Sequence, residues 1–328
     1  MPDYKNKKVL FITTKNLDYL RNTQEIRLLR ENGAKVAVIG SKSNNYISRL
    51  LTVYGKLLFT NTAKFDICFV GFAPQLVIPF FGWKFKKTTL VIDFFISVYD
   101  TLVFDRKKFS KKSILGKMCK RIDKKTIQRA DYIISDTKAH GRYFTDEFGM
   151  DPDKHSVLYL EADNSIYYMR KSVKPERIKD KFIVMYFGSI LPLQGIDIIL
   201  TAVKKLELRR DIYFIIVGPI EEKEKKPILE TVEYHDWLSQ EKLAEYISYA
   251  DLCLAGHFNA DINKAKRTIP GKAYIYHAMG KPMILGDNEA THELYNEDMD
   301  GIYFVKMGDA DALAEKIIEI CDYNKQKA

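Results

Sequence analysis

Residues 182–206 read FIVMYFGSILPLQGIDIILTAVKKL. An apolar run of strand length stops at Gly188, a turn closes at Gly195, and the apolar side chains that follow recur at helical spacing. The run does not alternate with polar residues, so the strand is expected to be buried on both faces. A strand covered on both sides and leading directly into a helix is the repeating unit of a parallel sheet.

Working outward, the same unit recurs. Downstream, YFIIVG (213–218), DLCLAG (251–256), PMILGD (282–287) and GIYFV (301–305) read as strands, with helices around 195–208, 239–249, 270–279, 289–296 and 309–321. Upstream, VLFITT (9–14) precedes a helix around 19–33 whose Leu20, Ile26, Leu28 and Leu29 share one side, and Gly33 ends it. VAVIG (36–40), FDICFVGF (65–72), TTLVID (88–93) and DYIISD (131–136) continue the series. Residues 161–181 are polar, contain Pro175 and lack periodicity. The expectation is α/β: two Rossmann-like doubly wound domains facing a cleft, with 1–165 as the first, 166–180 as linker and 181–328 as the second.

Composition narrows the class. A formal charge of +9 favours anionic partners such as nucleotides or phospholipid. Cys68, Cys119, Cys253 and Cys321 form no CxxC or Cys/His cluster, which argues against structural zinc and disulfides and suits a reducing cytosol. The N-terminus reads as a first strand rather than a signal peptide, and no apolar run approaches ~18 residues, so a cytoplasmic protein is expected. There is no Walker loop, no GxGxxG after the first strand, no nucleophile elbow and no HExxH.

Two places invite an anion. In GSILPLQG (188–195), Gly188 and Gly195 permit close backbone approach at a helix N-terminus; an ordinary βα turn is the alternative. In AGHFNADINKAKRTIPGKAYIY (255–276), Lys264, Lys266, Arg267 and Lys272 gather at a helix entry marked by Gly271; a solvated basic loop is the alternative. Two such sites on consecutive strand ends favour a nucleotide diphosphate.

These stretches, with VEYHDWLSQEKLAEYISYADLCLAG, IPGKAYIYHAMGKPMILGDNEATHEL and DGIYFVKMGDADALAEKI, resemble the donor-binding half of GT-B glycosyltransferases, specifically glycosyltransferase family four of the bacterial cell-surface polysaccharide type. LVIDFFISVYDTLVFDR (90–106) and ADYIISDTKAHGRYFTDEFG (130–149) resemble acceptor-domain segments of the same family. The resemblance implies a hexosyltransferase type of enzyme. It would move a sugar from a nucleoside-diphosphate donor to a glycan or lipid-linked acceptor, with retention and without a metal or other cofactor.

Position by position, the chain departs from the family. The usual first-turn Arg and Lys are Ser189 and Gln194 here, and the usual pair of Glu, the second a ribose ligand, falls on Arg267 and Ile275. Losing charged hydrogen bonds costs about 1.5–3 kcal/mol, roughly 10- to 100-fold in affinity. Lys266, Arg267 and Lys272 are expected to take over the diphosphate, and Glu293 or Glu289 to supply a carboxylate near the ribose. Helix N-terminal charge compensation is the alternative for both acids. Trp237 stands near the nucleobase or packs in the core. These departures also suit a catalytically inactive GT-B-like binding protein, and a GT-B nucleotide-sugar epimerase is a further alternative.

In the first domain Asp93 ends a strand where many family members have a sugar-facing His. Asp93 and Asp100 are the catalytic candidates, with Asp93 capping a turn as the alternative. Asp105 and Arg106 follow in the same loop, and Asp136, Thr137 and His140 lie after the fifth strand. Arg106, Asp136, Thr137 and His140 are assigned to the acceptor side, although His140 also reads as a helix-surface histidine. Residues 106–125 carry ten basic residues and one acid over an apolar stripe, and 45–59 is a second apolar-rich, weakly basic helix. Either peripheral contact with an anionic membrane at its inner face or a core-facing helix with a solvated back accounts for them. Nucleic acid is not expected, because the basic residues lack aromatic interleaving.

Overall fold

The computed structural model describes residues 2–220 and 226–327, which form two compact units, Met1–Glu161 and Ala162–Ala328. Residues 166–180, expected as a linker, pack into the second unit through the buried side chains of Tyr167 and Ile178.

The first unit holds a six-stranded sheet with strands β1 (Lys8–Asn16), β2 (Lys35–Ser41), β3 (Ile67–Val70), β4 (Thr89–Asp93), β5 (Tyr132–Ser135) and β6 (His155–Val157). Their order is β2-β1-β3-β4-β5-β6, and each pairing is parallel. Helix α1 (Leu20–Glu31) covers one face through Leu29, against Val9, Phe11, Phe69 and Val91. The alternate residues Leu10, Ile12, Cys68 and Ile92 face the other side, under α2 (Tyr46–Phe59), α3 (Ile78–Phe81), α4 (Ile114–Arg129) and α5 (Lys138–Phe148). The period-two alternation of apolar side chains thus serves two cores from one set of strands.

The second unit repeats the plan with β7 (Phe182–Phe187), β8 (Ile212–Val217), β9 (Val232–His235), β10 (Leu252–Gly256), β11 (Met283–Gly286) and β12 (Ile302–Val305), ordered β12-β11-β10-β7-β8-β9. Helices α6 (Ile196–Lys205) and α9 (Ala310–Lys327) share one core; α7 (Gln240–Tyr249) and α8 (Gly271–Ala278) complete the layers. Strands β6 and β9 are short, and the sequence reading passed over them.

One recurrent device sets register. Asp66, Asp131 and Asp251 each precede a strand, and each carboxylate accepts from the backbone N–H of the neighbouring strand, at Lys8 (2.7 Å), Leu90 (2.8 Å) and Ile183 (2.7 Å). They tie β3 to β1, β5 to β4 and β10 to β7, satisfying donors that an isolated strand start would leave open.

Two expected helices differ. Residues 289–296 form only a 3-10 turn at Thr291–Glu293, whose start the Asn288 side chain caps by accepting from Ala290 and Thr291 N–H. In α1 the buried residues are Arg21, Asn22, Gln24, Glu25 and Leu29, whereas Leu20, Ile26 and Leu28 are only half-buried. Its inner stripe is polar because it meets strand ends whose backbone and side-chain groups need partners.

The loop after β4 is pinned from α4. Buried Asp123 accepts from Ser97 Oγ (2.7 Å), Tyr99 N–H (2.8 Å), Gln75 Nε2 (2.9 Å) and Val98 N–H (3.2 Å). Asp123→Ala should cost about 2–4 kcal/mol in urea unfolding, since it leaves several buried donors without an acceptor. Burial pushes the Asp123 carboxyl up to about 6, so the folded chain holds the extra proton between roughly pH 4 and 6. This group's contribution to stability therefore falls as pH rises through that window, and Asp123→Asn should flatten the slope.

Candidate functional site

In the second unit the two anion-favouring stretches meet. β7 and β10 are neighbours, so the turn after β7 and the loop after β10 leave the sheet side by side. Leu193 packs with Ile262, Ala265 and Met307, and Phe258 N–H donates to the Gln194 carbonyl (3.2 Å). Gly195 is required at this junction. Its φ is +69°, and an added Cβ would lie 2.7 Å from the Asn259 nitrogen.

Lys272, in the first turn of α8, does not extend to solvent. It is 5% exposed; its Nζ lies 4.5 Å from the centre of the Tyr186 ring and donates to Gln194 Oε1. No carboxylate pairs with it among the described residues. Burial lowers its pKa to about 7. The ammonium points at the one place where the first turn leaves room: a Cβ on Gly188 would sit 3.2 Å from Lys272 Nζ and 3.3 Å from the Tyr186 hydroxyl. That hydroxyl is buried without a hydrogen-bond partner, and burial pushes its pKa up, so it remains a donor. His257, at the end of β10, is held neutral. Burial and then the Lys272 charge bring it down to about 3. A buried cation and an unpartnered hydroxyl converging on a glycine make a site for an anionic oxygen.

The other candidates take distinct places. Ser189 and Lys266 are exposed, Arg267 and Gln194 half-buried, and Gly271 opens α8 behind Pro270. Ile275 is half-buried on α8, next to Tyr276, whose ring packs edge-on against Phe187 at 5.5 Å. Glu293 lies half-buried in its 3-10 turn and Glu289 is exposed. Trp237 is 78% exposed just beyond β9, where the edge strand ends, which goes against the core-packing alternative.

In the first unit, Asp93 is fully buried and its two oxygens accept from Arg21 Nη2 (2.9 Å) and Nε (3.1 Å). Arg21 also donates to the Leu158 carbonyl. Glu25, one turn along α1, lies 3.6 Å from Arg21, and Gly71 leaves the space its carboxyl occupies. Burial, reinforced by the Asp93 charge, pushes Glu25 well above the usual carboxylate range, which favours its protonated form beside the Arg21–Asp93 pair. Asp100, 1% exposed, begins a π-helical turn, Asp100–Asp105, and Arg106 follows it, exposed. Thr137 caps α5 by accepting from His140 N–H (3.0 Å). His140 is wholly buried rather than on the helix surface, with Nδ1 2.7 Å from Asp136 and its ring 4.2 Å from that of Phe144. Burial alone would raise Asp136; the His140 and Arg21 charges bring it below the ordinary value. Asp93, Asp136 and His140 thus converge at the ends of β4 and β5, organised by Arg21. Sequence reading missed Arg21, Glu25, Tyr186 and His257; the spacing of Arg21 and Glu25 on α1 was the available signal.

Comparison with known proteins bears on the fold. Solved structures with the same fold include Anabaena Alr3699/HepE in complex with UDP (TM-score 0.65, 15% identity, 98% of this chain and 91% of that one). Sucrose-phosphate synthase from Thermosynechococcus elongatus is another (TM-score 0.66, 13% identity, 96% and 90%). The two six-stranded parallel sheets with their helices are those of the GT-B fold. Residues 181–322, within the second unit, match the family described as glycosyl transferases group 1. A curated relative, an uncharacterized 41.2 kDa protein in the cps region of Klebsiella pneumoniae, is 24% identical over 284 residues, covering 84% of this chain and 73% of that protein.

A buried, unpaired ammonium is costly to a ligand-free protein. Lys272→Met should therefore raise the thermal midpoint of the ligand-free chain by about 2–4 °C while removing the cation from the site, which differential scanning fluorimetry will show.

Proposed function

We propose that the chain transfers a sugar, with retention of configuration, from a nucleoside-diphosphate donor to a hydroxyl of a glycan or lipid-linked acceptor in cell-surface polysaccharide assembly. The observation that carries the reading is the buried Lys272 ammonium beside Gly188, without a carboxylate, in a glycosyl transferases group 1 region. The UDP bound by the Anabaena protein and the cps setting of the Klebsiella relative support the donor class and the pathway.

In this reading the leaving diphosphate is held by Lys272, the Tyr186 hydroxyl and the N-terminus of α8, with Lys266 and Arg267 adding charge from the preceding loop. The anomeric carbon–phosphate oxygen bond breaks, the acceptor oxygen bonds from the same face, and the acceptor's proton passes to the departing phosphate. Side-chain cations neutralise that phosphate, and no metal is assigned a role. Ile275 leaves the ribose without the usual carboxylate, and Glu293 is the group we assign to replace it. In the first unit we give Asp93 a positioning role, since its carboxylate is taken up by Arg21. We place the activity in the cytoplasm, at the inner membrane face. Among the described residues no helix is long and apolar enough to cross a membrane.

Titration calorimetry with UDP, GDP, ADP and TDP, followed by donor-dependent release of the diphosphate, tests the reading. Absence of binding by every nucleotide at millimolar concentration would sink it. Arg267→Ala and Lys272→Gln should each weaken binding at least tenfold.

Binding should also be linked to protonation. The free Lys272 titrates near 7, and an anion beside it favours the charged form, so binding takes up a proton. Affinity should fall as pH rises above 7, by up to about tenfold per unit, with a proton uptake visible in buffers of different ionisation enthalpy. A dissociation constant that stays level from neutral to alkaline pH would place the diphosphate elsewhere.

A further inference from the structure

The outer side of the first unit's α2–α4 layer is built unlike an ordinary solvated surface. Val53 and Leu57 of α2 are fully buried in the core, yet a second apolar stripe, Ile47, Leu51 and Leu58, lies on the same helix facing outward. With Phe59, Phe80 and Trp83 these residues are between 52 and 89% exposed. They adjoin one another: the Tyr54 ring lies 5.7 Å from Phe80, and Lys84, next to Trp83, donates from Nζ to the Leu58 carbonyl (2.8 Å). Single exposed apolar residues are ordinary, but six on adjoining elements make a patch.

The chain around the patch is predominantly basic. Between residues 32 and 92 the one acid is Asp66, exposed and accepting from Lys8 N–H, while Lys42, Lys64, Lys86 and Lys87 are exposed. On the same sheet face, α4 exposes Ile114, Leu115 and Met118 within a segment of ten basic residues, and its one acid, Asp123, is buried inward. Lys120 pairs with Glu147 of α5. The first unit carries 29 Lys and Arg against 16 Asp and Glu, a formal +13; the second carries 23 against 27, a formal −4. The cations are therefore concentrated in the unit that carries the apolar patch, and are not a general solubility device.

We infer that this face docks on an anionic lipid bilayer, with Ile47, Leu51, Leu58, Phe59, Phe80 and Trp83 entering the headgroup–acyl boundary and the surrounding lysines and arginines meeting lipid phosphates. Apolar burial and anionic attraction act together in such interfacial binding, and the aromatic side chains suit the depth. The inference does not depend on the reaction assigned to the second unit. It adds apolar insertion by α2 and the Phe80–Trp83 segment to the basic stretch 106–125 noted from the sequence.

The chain has two tryptophans, so a Trp237→Phe protein reports from Trp83 alone. Mixed with vesicles of phosphatidylcholine containing about 30% phosphatidylglycerol, the full chain should co-sediment. Trp83 emission should shift to the blue and be quenched by brominated acyl chains. Binding should weaken in high salt and on pure phosphatidylcholine. Ile47→Ser/Leu51→Ser/Trp83→Ser should lose at least about tenfold in partitioning with an unchanged circular dichroism melt. Lys86→Ala/Lys87→Ala should lose less and flatten the salt dependence. No binding to the anionic vesicles, or equal binding by the triple Ser variant, overturns the inference. So does a concentration-dependent dimer in light scattering that the triple variant abolishes while vesicles are ignored, because a second copy would then be the occupant.

Discussion

A parallel strand cannot be joined to its neighbour by a tight turn. Every connection in these two sheets must cross a face, and the chain obliges with helices on both sides. The strands are therefore buried twice over, and their polar turns and helix N-termini collect at the carboxyl ends. In the second unit this is why the turn after β7, the loop after β10 and the start of α8 meet around Gly188. In the first it is why Asp93 and Asp136 follow β4 and β5 into one polar network with Arg21. The opposite ends carry the Asp66, Asp131 and Asp251 register ties and, before β8, an ion-pair cluster of Arg209, Asp211 and Asp322.

In the second unit a cation reaches the first turn from another element without a change of fold. The first turn has lost the basic residues expected of the family resemblance, and its Gln194 does not neutralise anything by itself. Gln194 instead accepts from Lys272, which arrives from α8 and places a cation at the same turn from the opposite side. The arrangement costs desolvation of an ammonium, reflected in its lowered pKa. The first unit handles its buried charge differently. Arg21 closes on Asp93 with two hydrogen bonds, while Glu25 stands 3.6 Å from the guanidinium with both carboxyl oxygens buried and without a hydrogen-bond partner.

Much of the fold was legible because continuous apolar runs of strand length, separated by helical periodicity, have few other readings. FIVMYF, YIIS and LCLAG became strands close to where their runs begin and end. The structure departs from that reading where an element is short or where burial is not apolar. The helix expected over 289–296 is only a 3-10 turn, and α1 buries Arg21, Asn22, Gln24 and Glu25 while its leucines are mostly at the margin. Hydrophobic periodicity does not report a polar inner face, since its partners come from β4 and residues 158–159 far along the chain. The burial of His140 and the exposure of Trp237 were out of reach for the same reason: whether a ring is covered depends on neighbours that are remote in sequence.

By itself the sequence determined the α/β class, the two sheets, the strand ends where chemistry would gather, and the likeness to GT-B glycosyltransferases, because these follow from local periodicity and motif order. Only the tertiary structure decided which charges are free to meet a ligand. It turned Asp93 onto Arg21 and left Lys272 without a carboxylate; it also brought α2, the Phe80–Trp83 segment and α4 into one outward face. The reason is physical: pairing, burial and exposure are set by distances between residues tens of positions apart, and periodicity along the chain carries no record of those distances.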